Sequence, residues 1–82
     1  MSFYVYVLGS KKNGLKKTYV GWTINLNKRL NQHNSGNGAK STRGRTWKII
    51  YKKKFFTKID AMSSEYHFKK NRKFRKKLIS RF

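Results

Sequence analysis

The sequence predicts an α+β fold: a small three-stranded antiparallel sheet flanked by helices, in the order ββαβαα. Three observations lead there. Two β-branched and aromatic runs near the N-terminus are separated by an Asn-Gly turn signal. A third run of the same kind stands near the middle, and the remaining segments space their apolar residues as helices do.

Taken in order, Phe3-Tyr4-Val5-Tyr6-Val7-Leu8 is β-branched and aromatic throughout, the composition of a buried strand. Gly9–Lys17 holds Asn13-Gly14 and four lysines, a turn inside a basic loop. Thr18-Tyr19-Val20-Gly21-Trp22 returns as a second strand, and a hairpin is the simplest pairing. Asn25 offers a side-chain oxygen to cap a helix running to about Asn34. On it, Leu26, Leu30 and His33 share one face and Arg29 stands at the border. Asn34-Ser35-Gly36-Asn37-Gly38 stops that helix, and Ala39–Arg45 reads as a flexible basic stretch. Trp47-Lys48-Ile49-Ile50-Tyr51 is the third strand, extendable through three lysines to Phe55-Phe56. Thr57-Lys58-Ile59-Asp60 has the form of a capping box with Asp in place of Glu. The helix it starts carries Ala61, Glu65 and Phe68 on one line. From about Asn71, Phe74, Leu78 and Phe82 recur at four-residue spacing amid Lys and Arg, a helix docking one apolar stripe beneath a positive surface. No internal repeat or change of composition divides the chain, so residues 1–82 are expected to form one domain.

Charge names the partner class. The chain sets 22 Lys and Arg against 2 Asp and Glu, a net charge of +20, and such a field draws in phosphate backbones and releases their counterions. An apolar fraction of 37% and an aromatic fraction of 16% supply a core, which separates the chain from a disordered basic tail. With no cysteine there is no disulfide or thiolate zinc site, and His33 and His67 alone cannot complete a four-ligand one. The longest apolar run is far short of a membrane span and no secretory leader opens the chain, so a cytoplasmic protein without membrane attachment is expected. A membrane-active basic helix would employ residues 69–82 alone and leave the rest without a role.

The two acids carry more information than the cations. Asp60 is accounted for by the helix start. Glu65 falls on the inward line of its helix, where a carboxylate is costly unless paired or bound to metal, and the residues alone leave both readings open. So few acids exclude a two-metal nuclease site; metal-assisted phosphodiester cleavage would have to use one ion, one carboxylate and several waters. Tyr6 and Tyr19 fall on the two strands of the proposed hairpin. Gly21 follows at a position that often marks close approach of backbone or ligand. Arg29 and His33, four residues apart, are neighbours on a helix face. Each of these residues has an ordinary structural reading when taken singly.

As an ordered set they form a pattern. Tyr4-Val5-Tyr6, Tyr19-Val20-Gly21, Arg29-x-x-x-His33 and Glu65 resemble the GIY-YIG nuclease superfamily. The run from His33 to Arg45, with Ala61-Met62-Ser63-Ser64-Glu65-Tyr66, is similar to its small, stand-alone, single-domain bacterial branch. The resemblance covers about Phe3 to Lys70. Tyr4 stands where the first motif has glycine and Val20 where the second has isoleucine, and Asn71 does not fall where some members place an asparagine. The resemblance implies a DNA endonuclease using one Mg²⁺ or Mn²⁺. Glu65 would bind the ion, Arg29 would stabilise charge on the phosphate, and Tyr6 or Tyr19 would take the proton of the attacking water with help from His33. A phenolate base needs positive charge close by, because a free tyrosine has a pKa of about 10. Lys40, Arg43 and Arg45 are the candidates for gripping the backbone; Trp22 and Trp47 could stack bases, and packing as core aromatics accounts for them at least as well. The substrate would be single-stranded, duplex or branched DNA, with a protein partner as one possible source of specificity; repair, recombination, uptake and genome defence all fit. A non-catalytic ribosome- or nucleoid-associated binder on the same fold is the alternative.

Overall fold

The computed structural model describes residues 1–82. Strands β1 (Phe3–Lys12) and β2 (Leu15–Thr23) form a hairpin, and helix α1 (Leu26–Asn34) follows. A single 3₁₀ turn (Lys40–Thr42) leads to β3 (Lys48–Phe55), and helices α2 (Lys58–Lys70) and α3 (Arg72–Ser80) complete the chain. The sheet is antiparallel with order β2-β1-β3, so the apolar first strand lies at the centre and β2 is an edge. This is the predicted ββαβαα architecture.

The basic stretch expected to be a loop is instead strand almost to its tip. Asn13 (φ 52°) and Gly14 (φ 80°) both take left-handed backbone, the pair that a two-residue hairpin turn requires. With the turn so tight, β1 and β2 pair without interruption from Tyr4–Thr23 to Lys12–Leu15. The lysines of this segment sit on the strands and project from an exposed ribbon.

Strand alternation sends the core to both faces of the sheet. Val5, Val7 and Val20 meet Ala61 of α2 on one side, joined by Tyr51, Phe68 and Leu78. Tyr6, Leu8 and Trp47 meet Leu26 and Leu30 of α1 on the other, together with Tyr19 and Ile49. A bulge between Val7 and Leu8 in the β1–β3 pairing opposes Val7 to Tyr51 and Leu8 to Ile49. The extra residue, Ile50, joins Tyr51 on the α2 side.

The helix starts form as read. The Asn25 side chain accepts from the Lys28 amide at 3.1 Å and Thr57 from the Asp60 amide at 3.2 Å. In α3 the docking stripe is Phe74 and Leu78, with Arg75 and Ile79 half-buried beside them. Phe82 lies past the helix end and is 38% exposed, so it does not extend the stripe. Asn71 accepts from the Phe74 amide and caps α3, which commits it to structure.

Candidate active site

A cleft of about 440 Å³ opens beside the free edge of β2. It is lined by Tyr6, Tyr19, Gly21, Trp22, Thr23, Ile24, Arg29 and Glu65. Its members come from both layers: Arg29 from α1 on one face of the sheet, Glu65 from α2 on the other. Gly21 makes room for the Tyr6 phenol. It pairs directly with Tyr6 across the hairpin. A Cβ at position 21 would overlap the Tyr6 hydroxyl and stand 2.6 Å from Cζ, so any side chain there would displace the phenol.

Behind the cleft lies a hydrogen-bonded chain that fixes the direction of its protons. The Thr42 hydroxyl donates to the Ala39 carbonyl at 2.8 Å, so its oxygen is the acceptor at 2.9 Å from His33 Nδ1. That assigns the imidazole proton to Nδ1 and leaves Nε2 as an acceptor, 2.9 Å from the Tyr6 hydroxyl, which therefore donates to it. His33 is fully buried, and the Tyr19 ring packs against it at 4.8 Å between centroids. Burial, and then the Arg29 charge, lower its pKa to about 4, so the ring is neutral at ordinary pH. Burial raises the Tyr6 pKa to about 12, a shift that the hydrogen bond and charge of Arg29 oppose and that Tyr19 and Glu65 reinforce.

Arg29 is half-buried. Its Nη1 donates to Gln32 Oε1 at 3.1 Å, which steadies a guanidinium with four further N–H donors. Glu65 has a side chain 19% exposed, and Lys69 one helical turn on contacts its Oε1 at 3.2 Å. No cluster of three or more His, Cys, Asp or Glu side chains exists to encage a metal ion. The donor set suits a hard divalent cation that keeps most of its water: one carboxylate, in a cleft with room for water and phosphate oxygens.

The other expected site residues fall elsewhere. Trp47 is only 2% exposed, and its Nε1 donates to the Thr42 carbonyl at 2.8 Å, so it is a core residue and cannot stack on a base. Trp22 does border the cleft, with Lys58 Nζ over its ring at 5.4 Å. The basic loop is pinned down. Arg45 donates to Ser10 Oγ at 3.1 Å and to the Leu15 carbonyl at 2.7 Å, and Lys12 donates to the Gly44 carbonyl at 2.8 Å. Lys40 and Arg43 are exposed. Thr42, which orients His33 from within this loop, carries no signal in the sequence: its role depends on a contact nine residues from its partner, across a glycine-rich stretch with no fixed period.

The fold and this cleft define a catalytic-domain class. The family model described as the GIY-YIG catalytic domain matches residues 2–78. The chain belongs to the GIY-YIG family, and a nuclease-type function on nucleic acid goes with that membership. Within it the chain is similar to small single-domain bacterial proteins of the UPF0213 group. It is 50% identical over 68 residues to a UPF0213 protein of Clostridium perfringens, covering 82% of this chain and 70% of that one. With that of Oceanobacillus iheyensis it shares 46% identity over 78 residues, covering 93% and 87%. The solution NMR structure of the UPF0213 protein BH0048 from Bacillus halodurans superposes with a TM-score of 0.54 at 38% identity, covering 98% of this chain and 84% of that one. No helix is long and apolar enough to cross a membrane.

Proposed function

We propose that the protein is a divalent-metal-dependent endonuclease that hydrolyses DNA phosphodiester bonds in the cleft at the β2 edge. The observation that carries this reading is the meeting there of a carboxylate and a guanidinium from helices packed on opposite faces of the sheet. Glu65 would hold the ion, Mg²⁺ or Mn²⁺; when bound, such an ion polarises the phosphate and neutralises the leaving oxygen. Arg29 binds the scissile phosphate and stabilises the charge that gathers on its oxygens. As the water oxygen bonds to phosphorus and the P–O3′ bond breaks, the water proton passes to the Tyr6 oxygen. The Tyr6 proton moves at the same time to Nε2 of neutral His33. This relay avoids a free phenolate, and a phosphate charge bound to Arg29 offsets part of what burial and that guanidinium cost the imidazolium it forms. Tyr19 orients the water or a phosphate oxygen from the neighbouring strand.

The Glu65–Lys69 ion pair favours a second reading, in which the acid is structural and the protein only binds nucleic acid. One experiment separates the two. Wild type and Glu65→Gln are incubated with single-stranded, duplex and branched DNA, in Mg²⁺ or in EDTA. Cleavage is expected only with metal and intact Glu65, with a loss of about 10³-fold or more in the variant and unchanged DNA affinity. Equal cleavage by the variant removes Glu65 from the site, and an inert wild type on every substrate selects the binding protein.

A further inference from the structure

A second basic hollow, of about 260 Å³, lies on the α3 side of β2 and is lined by Lys16, Thr18, Arg72, Arg75, Lys76 and Ile79. Arg75 is its unusual member. Its Nη1 donates to Thr18 Oγ1 at 3.2 Å and its Nη2 to the Lys69 carbonyl at 2.7 Å, while Nε is buried with no hydrogen-bond partner. No carboxylate forms an ion pair with it; the one ion pair of the chain joins Lys69 to Glu65. A guanidinium fixed among three other cations, without an internal counter-ion, is a costly arrangement that an external anion relieves.

We infer that this hollow binds a backbone phosphate of the same nucleic-acid strand whose scissile bond lies in the cleft. Both hollows draw on edge strand β2. Thr18 is three to four residues from Gly21 and Trp22, about 10–13 Å at the rise of a strand. That separation is a few nucleotides along a bound duplex strand, whose phosphates recur every ~3.4 Å of helix axis. The site sets how far a bound strand must extend beyond the cleavage point and carries no base specificity. The inference rests on the nucleic-acid reading above but not on catalysis.

Binding is therefore measured in EDTA, where no cleavage is needed, with oligonucleotides of increasing length. Arg72→Gln/Lys76→Gln, two exposed positions, is compared with the charge-matched Lys53→Gln/Lys54→Gln on β3. The first pair is expected to weaken binding about tenfold and to reduce the salt slope by about 0.7–0.9, the release from one phosphate contact. The penalty should arise only for oligonucleotides long enough to span both hollows. Equal weakening by the two variants at every length would overturn the proposal in favour of diffuse charge. On the wild type, amide shifts at Thr18 and Arg75 on adding an oligonucleotide support it. Shifts as large with inorganic phosphate at equal phosphate concentration reassign the hollow to a free anion. Failure of the nuclease reading would appear separately, as an inert wild type in Mg²⁺ whose binding still follows this length dependence.

Discussion

The two faces of the sheet are built on different physical principles. The α2–α3 face is held by shape: Val5, Val7, Val20 and Ala61 are buried, and Tyr51, Phe68 and Phe74 pack as an aromatic trio with ring centroids 5.1–5.2 Å apart. The α1 face is held by direction. Its centre is the Tyr6–His33–Thr42–Ala39 chain, each hydrogen bond deciding where the next proton points. Apolar packing tolerates exchange among groups of similar volume. A buried polar chain fails when one member is lost, because the neighbour keeps an unsatisfied group. Under the proposed mechanism, the apolar face presents Glu65 and the polar face holds the group that would move protons.

The sharpest way to break that distinction is Tyr6→Phe. It keeps the ring in place and removes the hydroxyl, so the fold should persist while cleavage falls by about 10²–10⁴-fold, the range for losing a general base. The measurement is single-turnover cleavage in Mg²⁺ beside a thermal melt. If Tyr6→Phe cleaves like the wild type, the relay is wrong and Tyr19 becomes the candidate base. The direct hydrogen bond to His33 Nε2 makes Tyr6 the stronger choice.

How far the sequence could reach follows the same division. Features set by a few adjacent residues were legible: the Asn25 and Thr57 caps, the Asn13-Gly14 turn, and Gly21 as a point of close approach. The strand order, with the apolar β1 between β2 and β3, emerges only in the structure. What was not legible depends on long-range pairing. The hairpin's lysine-rich arms read as loop because nothing local announces that their backbone stays paired to the tip. In the sequence Trp47 is open between core packing and base stacking, and Arg45 reads as a backbone grip; tertiary contacts to Thr42, Ser10 and Leu15 decide both. Of the candidate site, Tyr6, Tyr19, Arg29 and Glu65 line one cleft, His33 lies behind it, and Lys40 and Arg43 stand apart on an exposed loop.

A pH experiment probes the polar face through stability. His33 titrates at about 4 in the folded protein against about 6.5 when unfolded, so between those values the unfolded chain binds the extra proton. Stability from the buried neutral ring is therefore complete above about pH 6.5 and is lost progressively as pH falls toward 4. The difference amounts to about 3 kcal/mol. Denaturant midpoints measured from pH 8 to 4 should drop across this window. In His33→Gln they should start lower and stay flatter. A wild-type profile with no slope there would mean that burial does not depress the His33 pKa in the folded protein.

The smallest effect should come from Thr42, which touches neither water nor phosphate and acts only through the imidazole. Thr42→Val keeps the shape and removes the acceptor for Nδ1–H. The ring can then carry its proton on Nε2, which reverses the bond to Tyr6 and leaves no acceptor for the relayed proton. Roughly tenfold slower cleavage is expected, the cost of about one hydrogen bond in the aligned state. A purely structural role would predict the same loss in any variant of equal stability. Thr42→Ser restores the hydroxyl without the methyl group, so it should be less stable than wild type yet recover most of the rate. If Thr42→Ser and Thr42→Val lose activity in proportion to stability alone, Thr42 serves packing, and the proton direction in the site is set by something other than this chain.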